Sequence, residues 1–131
     1  MELCRTPSAG GGLLWLALCR RTRQIVAYAL GARSDATARL LWQRVPAAYR
    51  ADSLHTDFLE SYPKVFPPGQ HHATYGRGPT HHIERFNNIL RQRLGCLVRK
   101  TLSFSKCLVM HEIVIRLFLD LEHLQTINIL K

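Results

Sequence analysis

No apolar run in this sequence approaches the roughly 20 residues that a membrane-crossing helix needs; the longest unbroken one is Leu13 to Cys19. A cleavable secretion signal is not expected either. Glu2 stands where the basic opening would be, and Arg20, Arg21 and Arg23 follow the apolar stretch in place of a small-residue cleavage site. Cysteine is sparse, and Cys4, Cys19, Cys96 and Cys107 have no paired spacing. That fits neither a disulfide framework nor a zinc ribbon, and it suits a reducing compartment. A cytoplasmic protein with no membrane partner is expected. Acid is the scarcest class: 9 Asp and Glu stand against 18 Lys and Arg, for a formal net charge of +9. Fourteen of the bases are arginine, whose planar fork suits phosphate. Such an excess occurs in plain solvated surfaces, but it points first to a polyanion, and nucleic acid is the expected partner.

What is present suffices for one small domain or a piece of a larger one: 131 residues, 47% hydrophobic. Residues 1–12 differ from the rest. Thr6 to Ala9 and the run Gly10–Gly12 read as loop or disorder, so a leader is expected over 1–12 and the domain over 13–131. Leu13 to Cys19 is apolar on both faces, as in a strand inside a sheet, and Ile25 to Leu30 follows a polar turn at Arg20 to Arg23. The pair predicts a buried hairpin. Ser34 can cap a helix carrying Ala38, Leu41, Trp42 and Val45, stopped by Pro46. Leu54 to Thr56 reads as a short parallel strand leading into Asp57. A brief helix over Phe58 to Val65 and a mobile loop over Gln70 to Pro79 are expected next. Two more helices follow. One spans about His81 to Leu94, with Ile83, Phe86, Leu90, Leu94 and Leu97 as its stripe. The other spans about Ser105 to Leu124, where Met110, Val114, Leu117, Leu121 and Leu124 form a heptad-like line that Ile115 and Leu119 broaden. The width predicts docking on the sheet, with a dimer seam as the lesser alternative. The order of elements is α/β.

Two acids stand where chemistry could use them. Asp57 follows a strand end, where open α/β sheets bind ligands, and Glu84 lies in the first turn of a helix. Both have plain readings, as a helix cap and as a charge that favours the helix dipole. The surroundings of Glu84 favour more. At about 100° per residue, Asn88 lies about 40° from it and Arg91 about 20° on the other side. From Arg85 to Lys106 the chain carries Arg85, Arg91, Arg93, Arg99, Lys100 and Lys106 and no acid. A carboxylate at the edge of such a strip can hold Mg²⁺ while its neighbours hold phosphates. His71, His72, His81 and His82 lack cysteines at zinc-ligand spacing, no Pro-Cys-x-x-Cys follows His82-Ile83-Glu84, and neither a phosphate-binding glycine loop nor a G-x-S-x-G turn is present.

Several longer words carry a resemblance: Leu14-Trp15-Leu16-Ala17-Leu18, Thr22 to Ala27, Thr56-Asp57-Phe58, His82 to Asn88, and Arg99 to Lys106. From about Leu13 to Leu119 the chain resembles the catalytic half of insertion-sequence-one family transposases, DDE enzymes of small bacterial mobile DNAs. The resemblance implies a ribonuclease-H-like (retroviral-integrase-type) fold and a Mg²⁺-dependent cut and strand transfer at the element's terminal repeats. It places the second acid on Asp57 and the glutamate on Glu84, both as metal ligands and catalytic residues. Arg91 would grip DNA, beside Arg85, Asn88, Arg93, Arg99, Lys100 and Lys106. Association with nucleoid DNA, and self-association or mixing with intact transposase, are implied partners.

The departure is at the front. The family's first aspartate lies upstream of the hairpin in a strand reading approximately Asp-Glu-x-Trp-Ser-Phe-Val-Gly, whereas no aspartate precedes Asp35 here. Met1 to Arg5 can be written ATG-GAG-CTT-TGT-CGG, and one base along those letters read Trp-Ser-Phe-Val. The expectation is a truncated, frame-shifted copy whose frame is restored near Leu13. Its fold would lack the intact first strand, a gap into which Glu2 to Thr6 could be drawn with no metal ligand but Glu2, and it would not catalyse transposition alone. The alternative function is a non-catalytic DNA-binding or partner-binding fragment that inhibits intact transposase.

Overall fold

The computed structural model describes residues 1–7, 13–56, 62–73, 80–94 and 108–129. Its elements in chain order are β1 (Glu2–Pro7), β2 (Leu13–Leu18), β3 (Ile25–Gly31), α1 (Asp35–Arg44), a 3₁₀ turn (Ala47–Tyr49), β4 (Leu54–Thr56), α2 (Tyr62–Val65), β5 (His71–Ala73), α3 (His81–Arg93) and α4 (Leu108–Ile129). The five strands form one sheet in the order β3-β2-β1-β4-β5. β1 and β3 run antiparallel to β2; β4 runs parallel to β1, and β5 to β4.

Two sequence expectations are corrected at the sheet's centre. Residues Glu2–Pro7 are not loop, and the sheet is not missing a strand: β1 pairs with β2 from Glu2↔Leu18 to Pro7↔Leu13 and with β4 at Glu2↔His55. The reason is chemical. A gap between β2 and β4 would leave two rows of backbone groups unpaired, and any extended segment without an ill-placed proline satisfies them. Met1 extends the pairing, its amino group donating to Ser53 O at 2.7 Å and its carbonyl accepting from His55 N–H at 2.8 Å. A third correction concerns Gln70 to Pro79. His71–Ala73 is a strand, paired in register with Leu54–Thr56. Three residues between turn signals are too few for a periodicity argument to detect.

Each face of the sheet carries its own core. On one, Met1, Leu3, Trp15, Ala17, Ala27 and Ala29 meet Ala38 and Leu41 of α1, with Tyr62 and Phe66 from α2 and beyond. On the other, Leu14, Leu16, Leu18 and Ile25 meet Ile83 and Leu90 of α3 and Ile115 and Leu119 of α4. β2 is therefore buried on both sides, as its unbroken apolar run requires. A bulge opposite Ala17/Leu18 breaks the alternation of β3: Val26 and Ala27 both pack with the first core, while Ile25 packs with the second. The tip of this hairpin is closed by Cys19 N–H to Gln24 O at 2.9 Å and Arg23 N–H to Cys19 O at 2.8 Å. Arg23 there takes a left-handed φ of 61°.

α1 begins as expected, with the Ser34 hydroxyl accepting from Thr37 N–H at 3.4 Å. α4 is only partly as expected. Ile115 and Leu119 dock, as does His111. Of the heptad-like line, however, Met110, Val114, Leu117 and Leu121 are exposed, joined by Val109 and Ile113. A helix can bury one stripe on a sheet, and here the stripe centred on Ile115 is the buried one. Leu97 and Phe58 lie outside the described residues.

Two measurements check this packing. A Cβ on Gly31 would stand 2.5 Å from Thr37 Oγ1, so Gly31→Ala should destabilise the fold by about 1–3 kcal/mol in chemical denaturation. His111 is 2% exposed, neither ring nitrogen has a hydrogen-bond partner among the described residues, and burial lowers its pKa. The unfolded chain therefore binds a proton that the folded chain refuses. Stability should be full above about pH 6.5 and fall as the pH drops below it. His111→Leu should reduce that acid loss and raise stability at pH 7 by about 1–3 kcal/mol.

Candidate functional site

α3 lies across β1 and β2, docked through Ile83, Asn87 and Leu90, and this fixes what its other side presents. Glu84, Asn88 and Arg91 are all exposed, on the flank of the helix beside that buried row. Helical spacing thus brings an acid, an amide and a guanidinium to one solvent-facing strip, as the sequence predicts. Thr80 opens the helix without capping it through its side chain. Its hydroxyl instead donates to Glu84 Oε1 at 3.1 Å, while Glu84 N–H donates to Thr80 O at 3.2 Å. One residue therefore holds both the backbone and the carboxylate of Glu84.

The basic strip is less uniform than its sequence suggests. Arg85 and Arg91 are exposed, but Arg93 is ion-paired with Glu122 of α4. The run from Arg85 to Lys106 contains no acid, yet the fold supplies one from 29 positions away. A reading confined to local sequence cannot see such a partner. Arg99, Lys100 and Lys106 lie outside the described residues, as does Asp57, which follows the last residue of β4.

The strand ends near Asp57 are built by residues the sequence reading passed over. Buried Thr56 is hydrogen-bonded through its hydroxyl to His71 Nε2 at 2.6 Å, and His55 stacks on His72 with ring centroids 5.7 Å apart. Burial, and then the neighbouring His72, push the His71 pKa down. The histidines that sequence reading placed in a loop thus tie β5 to β4. Asn87 was also missed. It is 3% exposed and its Oδ1 has no hydrogen-bond partner among the described residues. Its signal was available, since Ile83, Asn87 and Leu90 keep a four-three spacing, and the row was read through Phe86 instead.

Magnesium takes oxygen ligands in near-octahedral geometry. The described residues offer Glu84 as a candidate carboxylate and contain no group of three or more His, Cys, Asp or Glu able to hold an ion. By themselves they do not fit a two-metal site. Asp35, the first aspartate of the chain, does not add to it. It lies in the first turn of α1, the helix packed on the opposite face from α3, 3.7 Å from Lys64 Nζ.

A sequence model of the family described as IS1 transposase matches residues 8–125 of this chain. The insertion element iso-IS1n protein InsB of Shigella dysenteriae is 36% identical over 107 residues, covering 82% of this chain and 79% of that protein. The insertion element IS1 protein InsB of Shigella flexneri is 37% identical over 112 residues, 86% of this chain and 83% of its own. The insertion element IS1 4 protein InsB of Escherichia coli K12 is 35% identical over 112 residues, 86% of this chain and 65% of its own. No solved structure matches the chain. No helix among the described residues is long and apolar enough to cross a membrane.

If the Thr80 hydroxyl orients Glu84, Thr80→Val should leave the fold intact while loosening that carboxylate. The expected readout is a broadened Glu84 side-chain NMR signal with little change in melting temperature.

Proposed function

The chain belongs to the IS1 transposase family, and on that premise we propose that it takes part in DNA transposition by binding insertion-element ends through the exposed side of α3. The observation that carries this reading is the exposed strip of Glu84, Asn88 and Arg91, on a helix held to the sheet by the adjacent row of Ile83, Asn87 and Leu90. A guanidinium on a rigid element can meet a phosphate without ordering a loop first. Terminal-repeat DNA is the proposed partner. The fold is read as ribonuclease-H-like, because β1 stands between the hairpin strand β2 and the strand β4 that leads to Asp57.

The resemblance implies Mg²⁺-dependent phosphoryl transfer on DNA, for which divalent ions held by carboxylates would supply charge stabilisation at the attacking and leaving oxygens. Asp57 and Glu84 are the proposed ligands. Two carboxylates leave such a site short of donors, and β1 brings no aspartate to the sheet's centre: its acid is Glu2, level with His55 by register. We therefore read the chain as a DNA-binding member that does not join DNA on its own, and that acts on intact transposase by occupying ends or entering its assemblies. The exposed row of α4 supports the second route. Met110, Val114, Leu117 and Leu121 repeat at four-three-four, the spacing of a helix–helix seam. Six apolar side chains at this exposure present on the order of 500 Å² per copy, near the lower limit for a specific interface when doubled.

Three outcomes are expected. Purified chain with Mg²⁺ and terminal-repeat DNA shifts the DNA in gels but yields no joined product; joined product that disappears on Glu84→Gln would overturn the inactive reading. Affinity falls steeply with salt, and Arg91→Ala flattens the log–log slope by about 1. Arg93→Ala, whose charge is already engaged by Glu122, changes that slope much less; equal effects of the two would show that the ion pair opens on DNA. Leu117→Glu with Leu121→Glu leaves the melting temperature of dilute protein unchanged and shifts concentrated protein towards monomer in sedimentation.

A further inference from the structure

A cleft of about 320 Å³ opens between the tip of the β2–β3 hairpin, the first half of α3 and the end of α4, apart from the Glu84–Asn88–Arg91 strip. Its walls are apolar: Leu18 and Ile25 from the hairpin, and Phe86 and Ile89 from α3. Five polar side chains share the lining: Arg23, His82, Arg85, Glu122 and His123. Arg23 and Arg85 are both exposed and contribute two guanidinium groups. Arg23 is fixed from both ends, by the left-handed turn that carries it and by its contact with His82 Nδ1. His123 lines the same space with a buried Nε2 that has no hydrogen-bond partner among the described residues. Glu122, the acid of the cleft, is engaged by Arg93.

We propose that this cleft binds a single unpaired nucleotide of a DNA strand, with the base between the apolar walls and its phosphate at Arg23 and Arg85. The size falls at the lower end of small-ligand sites, which suits one base and its sugar and excludes a duplex. Phe86 adds an aromatic side chain to the lining, and stacking on an aromatic ring tolerates any base. The paired guanidinium groups select a phosphate, and the apolar walls make inorganic phosphate alone a poor occupant. The proposal rests on the DNA reading above and shares Arg85 with the expected DNA-binding set, but neither Arg91 nor Asn88 lines the cleft.

The test titrates the full chain, followed by NMR, with deoxyadenosine monophosphate, deoxyadenosine and inorganic phosphate as separate probes. The nucleotide should shift signals of Phe86, Ile89 and Arg23, and bind at least tenfold more tightly than either the nucleoside or phosphate. Ile89→Trp, which fills the cleft, should abolish that binding. Arg23→Glu, at an exposed turn where refolding is not in question, should weaken it at least tenfold. Blunt duplex should bind both variants within threefold of the parent, while Arg91→Ala should do the reverse. Equal binding of phosphate and nucleotide, or nucleotide binding that survives both cleft substitutions, overturns the proposal. Loss of duplex binding with nucleotide binding intact would instead overturn the α3 reading and leave the cleft standing.

Discussion

The arrangement depends on the backbone pairing of one central strand. β1 satisfies β2 along its whole length on one side and meets β4 on the other, with Met1 adding two more hydrogen bonds to the β4 segment. Without it the hairpin and the β4–β5 pair would be two separate pieces, too small to be stable alone. The pairing makes little demand on side chains. Met1 and Leu3 join the core beneath α1, and that apolar pair is enough to seat the strand. A segment outside the family match, which covers 8–125, can therefore hold the middle of the sheet while carrying no aspartate there. Backbone pairing and sequence pattern separate at this strand.

That separation sets what the sequence could reveal. Elements with a strong periodic signal were legible: the doubly buried β2, the Ser34-capped α1, and α3 with its exposed acid, amide and guanidinium. Each is decided by the order of apolar and polar residues within a few turns or one strand. β1 and β5 were not legible, since both are held by backbone partners distant in sequence and neither has a pattern of its own. The pairing of Arg93 with Glu122 was hidden for the same reason. α4 was half legible. Its two apolar stripes were both visible in the sequence, but which of them meets the sheet is decided by α3 and β3, which no local pattern encodes.

The candidate site divides in a similar way. Glu84 and Arg91 stand where helical geometry puts them, and Thr80 adds a hydrogen bond that a capping-box search would miss, since Glu84 is four residues on from it. Of the residues that steady the far end of β4, His71 and His72 fall in a stretch that the sequence marks as loop. Their contribution is the tie between β4 and β5, through Thr56 and His71 and through the stack of His55 on His72.

The two borders of the sheet are finished differently. β5 ends it after three residues, too short a template for another chain's backbone to extend. β3 ends it with seven residues, but the bulge breaks its regular ladder at Ile25 and Val26, and Arg116, Asp120 and His123 of α4 face Ile25 to Tyr28 across a small cleft. Charge and irregularity at that border discourage strand-to-strand growth. The sheet thus resists propagation into aggregates at either border, and contact between copies is left to helical surfaces.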